Sequence, residues 1–242
     1  MRRVGEGLFA AGLERGRRRA LLLPGLFGDA RELSPLAETL AARRPVIACD
    51  LPPGGPRAAA AVLERRLRAA ELLDDGPFDA VTGSFGGLVA ACLPPSLLSS
   101  LAVIATLPSP ALIPAAARRK TTLLAAAPAP VVEWLYRRHL RAVLARDGLP
   151  EPLITTLTAG PGLSKDTLVG RLRGVTEWEV DPPPAVPTLW ILGATDPETP
   201  WSVEEVLRFR PEVEVTHVPG GHRPYASHPG PLTTRLEGFW SR

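Results

Sequence analysis

The stretch Phe78-Asp-Ala-Val-Thr-Gly-Ser-Phe-Gly-Gly-Leu-Val-Ala90 decides the fold. It opens as an apolar run suited to a strand. Gly83-Ser-Phe-Gly-Gly87 interrupts that run, and an apolar run suited to a helix follows. A serine on so sharp a strand-to-helix turn is lifted clear of a sheet and points into a cleft. The helix amides beneath it are free to bind an oxyanion. Ser84 is therefore read as a nucleophile.

Outward from this point the chain alternates strand and helix. Strands are predicted over Arg19–Leu23, Arg44–Asp50, Phe78–Thr82, Leu101–Ala105, Pro187–Leu192 and Val213–Val218. Helical spacing of apolar residues predicts helices over Asp29–Arg43, Arg57–Leu73, Phe85–Cys92, Ser202–Phe209 and Pro231–Trp240. Leu51-Pro-Pro-Gly-Gly-Pro56 suits no regular element and reads as a loop. Short apolar strands alternating with helices imply an α/β fold, a mostly parallel sheet covered on both faces. Between Pro108 and Pro184 the rhythm stops. Leu123–Ala127, Val131–Arg146, Glu151–Thr158 and Leu163–Trp178 all lean helical, and Gly and Pro separate them. The expected organisation is a core over 1–107, a helical cap insertion over 108–184, and a second core part over 185–242. The insertion is expected over the carboxyl edge of the sheet, where open α/β folds bind ligands. Asp181-Pro-Pro-Pro184 reads as a stiff return into the core.

The 242 residues are enough for a full core without metal or disulfide. Cys49 and Cys92 stand alone in apolar surroundings and read as buried small hydrophobes. With only those two thiols and four histidines, no metal site and no cofactor are expected. No apolar run approaches a membrane span, and Met1-Arg-Arg-Val-Gly-Glu6 leads into nothing like a signal-peptide core, so a cytoplasmic protein is expected. Net charge is +3, and Lys occurs only at 120 and 165, so Arg supplies 26 of the 28 cations. The basic clusters Arg17–Arg19, Arg118–Lys120 and Arg137–Arg141 lack a recognisable nucleic-acid module and read as solvated faces, with no nucleic-acid partner.

Several segments together resemble the α/β-hydrolase family, and the resemblance covers nearly the whole chain. Leu21-Leu-Leu-Pro-Gly-Leu-Phe-Gly-Asp29 is similar to the family's first parallel strand and the turn after it. Asp50-Leu-Pro-Pro-Gly54 is similar to its Asp-Leu-Pro-Gly loop. Thr82-Gly-Ser-Phe-Gly-Gly87 resembles its nucleophile elbow, and Pro187–Pro197 and Val218-Pro-Gly-Gly-His222 resemble its acid and histidine segments. The order Ser…Asp…His is the family's own. The resemblance implies Ser84 as nucleophile, His222 as general base and Asp196 as the acid that orients it. It implies backbone N–H groups of Leu26 and Phe85 as the oxyanion hole, with Phe27 in the substrate pocket. Two positions depart from the pattern: Thr82 where glycine is usual, and Pro24 where histidine is usual. Thr82 can tighten the turn or donate its hydroxyl locally, and Pro24 is expected to change loop packing rather than chemistry. Asp29 reads as a helix cap with Glu32 completing a capping box. His217 reads as structural, His228 as capping or exposed, and His139 as solvated. Trp134, Tyr136, Trp178 and Trp201 are divided between core and acyl pocket.

The implied activity is hydrolysis of a small-molecule carboxylic ester or thioester through an acyl-enzyme intermediate. The same residues serve acyl transfer equally well. A non-catalytic binding protein on this scaffold is the alternative, because the insertion and Gly220-Gly-His-Arg-Pro-Tyr225 are also similar to the maspardin-like branch.

Overall fold

Runs of four apolar residues build the centre of the sheet. Ala20-Leu-Leu-Leu23 and Val46-Ile-Ala-Cys49 are buried at every position, as parallel strands covered on both faces must be. The computed structural model describes residues 1–13, 18–159, 163–178 and 185–242. In chain order, β1 (Arg2–Gly5) and β2 (Leu8–Ala11) form a hairpin. There follow β3 (Ala20–Leu23), a 3-10 turn (Ala30–Leu33), α1 (Ser34–Ala41), β4 (Val46–Cys49) and α2 (Pro56–Ala69). Next come β5 (Phe78–Gly83), α3 (Phe85–Ala91) and β6 (Leu98–Ile104). Four helices intervene: α4 (Ala115–Ala126), α5 (Ala129–Arg146), α6 (Glu151–Ala159) and α7 (Lys165–Thr176). The chain ends with β7 (Thr188–Gly193), α8 (Val203–Phe209), β8 (Glu214–Val218), α9 (Pro224–Ser227) and α10 (Pro229–Trp240).

The strands lie in the order β1-β2-β4-β3-β5-β6-β7-β8. β2 pairs antiparallel with β1 and β4, and every other pairing is parallel. The sheet is thus mostly parallel and flanked by helices, as expected. Alternate side chains go to opposite faces. Leu22, Ala48, Val81 and Ile104 pack with Leu36 and Leu40 of α1 and Leu232 and Leu236 of α10. Leu21, Ile47, Ala80 and Val103 pack with Leu63 and Leu67 of α2 and Leu88 of α3. Each leucine so buried contributes roughly 1.5–3 kcal/mol of hydrophobic stabilisation.

Several local expectations change. The β1–β2 hairpin was not anticipated, because each strand is four residues long and the first carries Arg2, Arg3 and Gly5. Helix α4 begins at Ala115, well before the expected Leu123, since Ala115–Lys120 has little apolar periodicity to reveal it. Asp29 does cap the 3-10 turn, accepting from the Arg31 N–H at 2.9 Å. Glu32 does not close a capping box; it turns into the core. Cys49 is buried, whereas Cys92 is half-buried. The expected Asp181–Pro184 return and the 184/185 boundary lie outside the described residues, as does Arg17.

Candidate active site

Ser84 sits between β5 and α3 with φ +48° and ψ −114°, a left-handed backbone that residues with a side chain rarely adopt. Three hydrogen bonds hold it there. Its N–H donates to Ile104 O at 2.7 Å, and its carbonyl accepts from Gly87 N at 3.0 Å and Thr106 Oγ1 at 2.8 Å. The turn also needs Gly86, where a Cβ would come within 2.5 Å of the Pro24 carbonyl and 2.7 Å of the Leu23 carbonyl. Pro24 therefore packs its backbone against the elbow. Thr82 is fully buried and donates its hydroxyl to Ala102 O on β6 at 3.2 Å, which ties the elbow strand to its neighbour.

Asp196 follows β7 and His222 follows β8. Backbone bonds join the two loops: Ala194 N to Val218 O and Thr195 N to Gly220 O, both 3.0 Å. At Gly193 any side chain would collide with the Gly221 carbonyl, so glycine permits this approach. His222 Nδ1 lies 2.9 Å from Asp196 Oδ2, with both side chains buried. Facing a carboxylate, Nδ1 is the donor. Asp196 also accepts from Glu198 N at 2.8 Å, Thr199 N at 3.2 Å and the Thr199 hydroxyl. Burial acts to raise the Asp196 pKa. The hydrogen bond and charge of His222, helped by Thr199 and Glu198 N, outweigh it and bring the pKa from the ordinary 3.8 down to about 2.

Ser84 and His222 line one cavity of about 680 Å³. Leu26 and Phe27 line it too, with Lys120, Thr121 and Leu124 of α4, Leu135, Tyr136 and His139 of α5, and Leu168 and Leu172 of α7. Asp196 lies behind His222. Phe85 does not line the cavity: its ring is buried in the core, and its N–H lies in the first turn of α3. Tyr136 lines the cavity and meets Phe27 edge-on at 5.5 Å. Trp134 is exposed, and Trp178 and Trp201 pack with the core on the far side of the sheet. His139 is exposed, as expected, and also lines the cavity. His217 is exposed on β8, and His228 makes no side-chain cap, its Nδ1 lying 3.0 Å from Ser227 Oγ.

Sequence reasoning missed a set of buried charges around these loops. Arg223, next to His222, donates to Glu32 at 2.9 Å and Asp147 at 2.5 Å, and its guanidinium covers the Phe27 ring at 4.9 Å. The Tyr225 hydroxyl donates to Glu32 at 2.7 Å. Burial, then the Glu32 charge, raise the Tyr225 pKa, so the phenol stays a donor. Arg171 on α7 donates to Leu26 O at 2.6 Å and Leu51 O at 2.7 Å. Burial lowers its pKa to about 10, which leaves it charged near neutrality. Outside this buried set, the more exposed Glu198 Oε2 stands 3.8 Å from His222 Nε2, and Arg146 of α5 binds the same carboxylate at 2.5 Å. The one available signal was the adjacency of Arg223 to His222; burial of the rest is invisible in a linear pattern. Among the described residues, no group of His, Cys, Asp and Glu could hold a metal, and no helix is long and apolar enough to cross a membrane.

Comparison with known proteins places this geometry in context. A family model described as the alpha/beta hydrolase family matches residues 20–234. A thermophilic esterase from Thermogutta terrifontis superposes with a TM-score of 0.77 at 19% identity, covering 97% of this chain and 92% of that one. An enol-lactonase from Burkholderia xenovorans gives 0.73 at 14% identity, covering 97% and 96%. A thioesterase domain from the curacin biosynthetic pathway gives 0.68 at 16% identity, covering 95% and 94%. No curated protein matches the chain.

Proposed function

The chain belongs to the alpha/beta hydrolase family, and from that premise we propose that it is a serine hydrolase cleaving a carboxylic ester or thioester through an acyl-enzyme. One observation carries the reading: a strained Ser84 and a His222 whose Nδ1 is held by Asp196 open onto the same cavity. The esterase, enol-lactonase and thioesterase that share its fold are consistent with acyl chemistry.

In this mechanism Ser84 Oγ attacks the acyl carbon while His222 Nε2 takes the hydroxyl proton. The carbonyl π pair moves to oxygen, and the N–H groups of Phe85 and Leu26 stabilise that charge. The intermediate collapses, the bond to the leaving oxygen or sulfur breaks, and His222 returns its proton to the leaving group. Water then attacks the acyl-Ser84 ester by the same route, releasing the acid and restoring the hydroxyl. Asp196 holds the imidazole tautomer and stabilises the imidazolium. Arg171, by fixing the Leu26 carbonyl, holds the loop that presents the Leu26 N–H. The helices over 108–184 act as the cap that encloses the acyl group.

A fluorophosphonate probe is expected to label the wild-type protein and to leave Ser84→Ala unlabelled. Turnover of p-nitrophenyl esters should fall by a factor on the order of 10⁶ in that variant. Equal labelling of the two proteins would remove Ser84 from the mechanism and leave the binding-protein reading in its place.

A further inference from the structure

The basic clusters at 118–120 and 137–141 take no part in the proposed chemistry, yet they sit beside the cavity. Residues 115–146 hold seven Lys and Arg against one carboxylate, Glu133, and two of the seven, Arg141 and Arg146, pair with Glu151 and Glu198 outside the segment. That segment is +6 in a chain of +3, so the remaining residues sum to −3. Charge concentrated in this way points to an anionic partner.

The same surface is apolar. Leu123 is 71% exposed, Trp134 57%, Val131 46% and Leu135 44%. Core packing does not explain them. Helix α5 already buries a full stripe through Val132, Tyr136, Leu140 and Val143. Val131, Trp134, Arg138 and Arg141 recur at i, i+3, i+7 and i+10, which places a second stripe on the outer side. Arg138 lies over the Trp134 ring at 5.7 Å. Helix α4 buries only Thr121 and exposes Arg118, Arg119 and Lys120. Lys120 and Leu135 are both exposed and both line the cavity, so this face reaches the cavity mouth.

Bulky apolar side chains flanked by long cationic ones suit the boundary of an anionic bilayer. Trp and Leu enter the acyl margin, while guanidinium and ammonium groups stay at the phosphates. A bilayer accepts single protruding side chains without matching relief; an acidic protein needs a complementary shape. We propose that the α4–α5 face docks on anionic lipid membranes and turns the cavity mouth toward the lipid surface.

The experiment is co-sedimentation of the full chain with large unilamellar vesicles of phosphatidylcholine alone or mixed with phosphatidylglycerol. At low salt, binding to the mixed vesicles is expected to be at least about tenfold tighter, and about 0.5 M salt should erase most of the difference. Arg118→Glu/Arg119→Glu should lose the preference for phosphatidylglycerol while hydrolysing a soluble short-chain ester at the wild-type rate. Trp134→Ser should bind mixed vesicles more weakly yet keep the preference. Ser84→Ala should bind as wild type, which separates docking from catalysis. The proposal is overturned if mixed vesicles retain no protein, if the double variant binds them as well as wild type, or if an acidic carrier protein binds this face while vesicles do not.

Discussion

The cavity has two walls, and they obey different rules. The sheet wall carries Ser84, Leu26 and His222 at the ends of strands, and two of those strands, β3 and β5, are buried at every residue. The helical wall comes from α4, α5 and α7, of which α4 buries a single side chain. The difference shows where rigidity comes from. A strand packed on both faces can hold a strained residue, because moving it would disturb two cores at once. A helix resting on one stripe or less cannot, but it can vary its outer residues at little cost to folding. The candidate residues accordingly sit on the first wall, and charge and exposed apolar surface gather on the second.

The sharpest way to break this contrast is to disable the sheet wall without moving it. Asp196→Asn is expected to lower turnover about 10⁴-fold, equivalent to about 5.5 kcal/mol of barrier, while circular dichroism stays unchanged. The same variant tests the linkage to pH. The folded pKa of Asp196 is about 2 against the ordinary 3.8, so its contribution to stability is complete above pH 4 and drains as the pH falls toward 2. Wild-type protein should lose more stability than Asp196→Asn across that window in urea titrations; parallel losses would place the stabilising charge elsewhere.

Arg223 joins the two walls, since it binds Glu32 beside the sheet and Asp147 at the end of α5. Arg223→Met leaves two buried carboxylates without their cation and is expected to cost about 3–5 kcal/mol in chemical denaturation. A loss under 1 kcal/mol, on the scale of an exposed pair, would show that the walls are not coupled through this residue. Leu22→Ala, at the sheet centre, should cost about 2–5 kcal/mol. Leu123→Ala, on α4, should change stability by less than about 0.5 kcal/mol. Similar costs at the two leucines would erase the distinction drawn here.

The two walls were also unequally legible. Full burial forces uninterrupted apolar residues into strands, so Leu21-Leu-Leu23 and Val46-Ile-Ala-Cys49 announced themselves, and Gly83–Gly87 marked the turn between β5 and α3. The candidate residues Ser84, Asp196 and His222 were readable because each follows an apolar run that ends at the same sheet edge. The β1–β2 hairpin was not, since four-residue strands containing Arg and Gly give too short a pattern. Glu32 was misassigned because a capping box and an inward-turned carboxylate share one spacing; only the presence of Arg223 and Tyr225 decides between them. Arg171 escaped for a similar reason. Helical periodicity tells which residues share a face, not which neighbour that face will meet.

The backbone at Ser84 has a consequence for how this protein could change over time. Glycine adopts φ +48° without the steric conflict a Cβ brings, so the fold would be easier to form with no side chain there. Selection for heat tolerance alone would therefore trade the hydroxyl away. Robustness and the proposed chemistry pull in opposite directions at this residue.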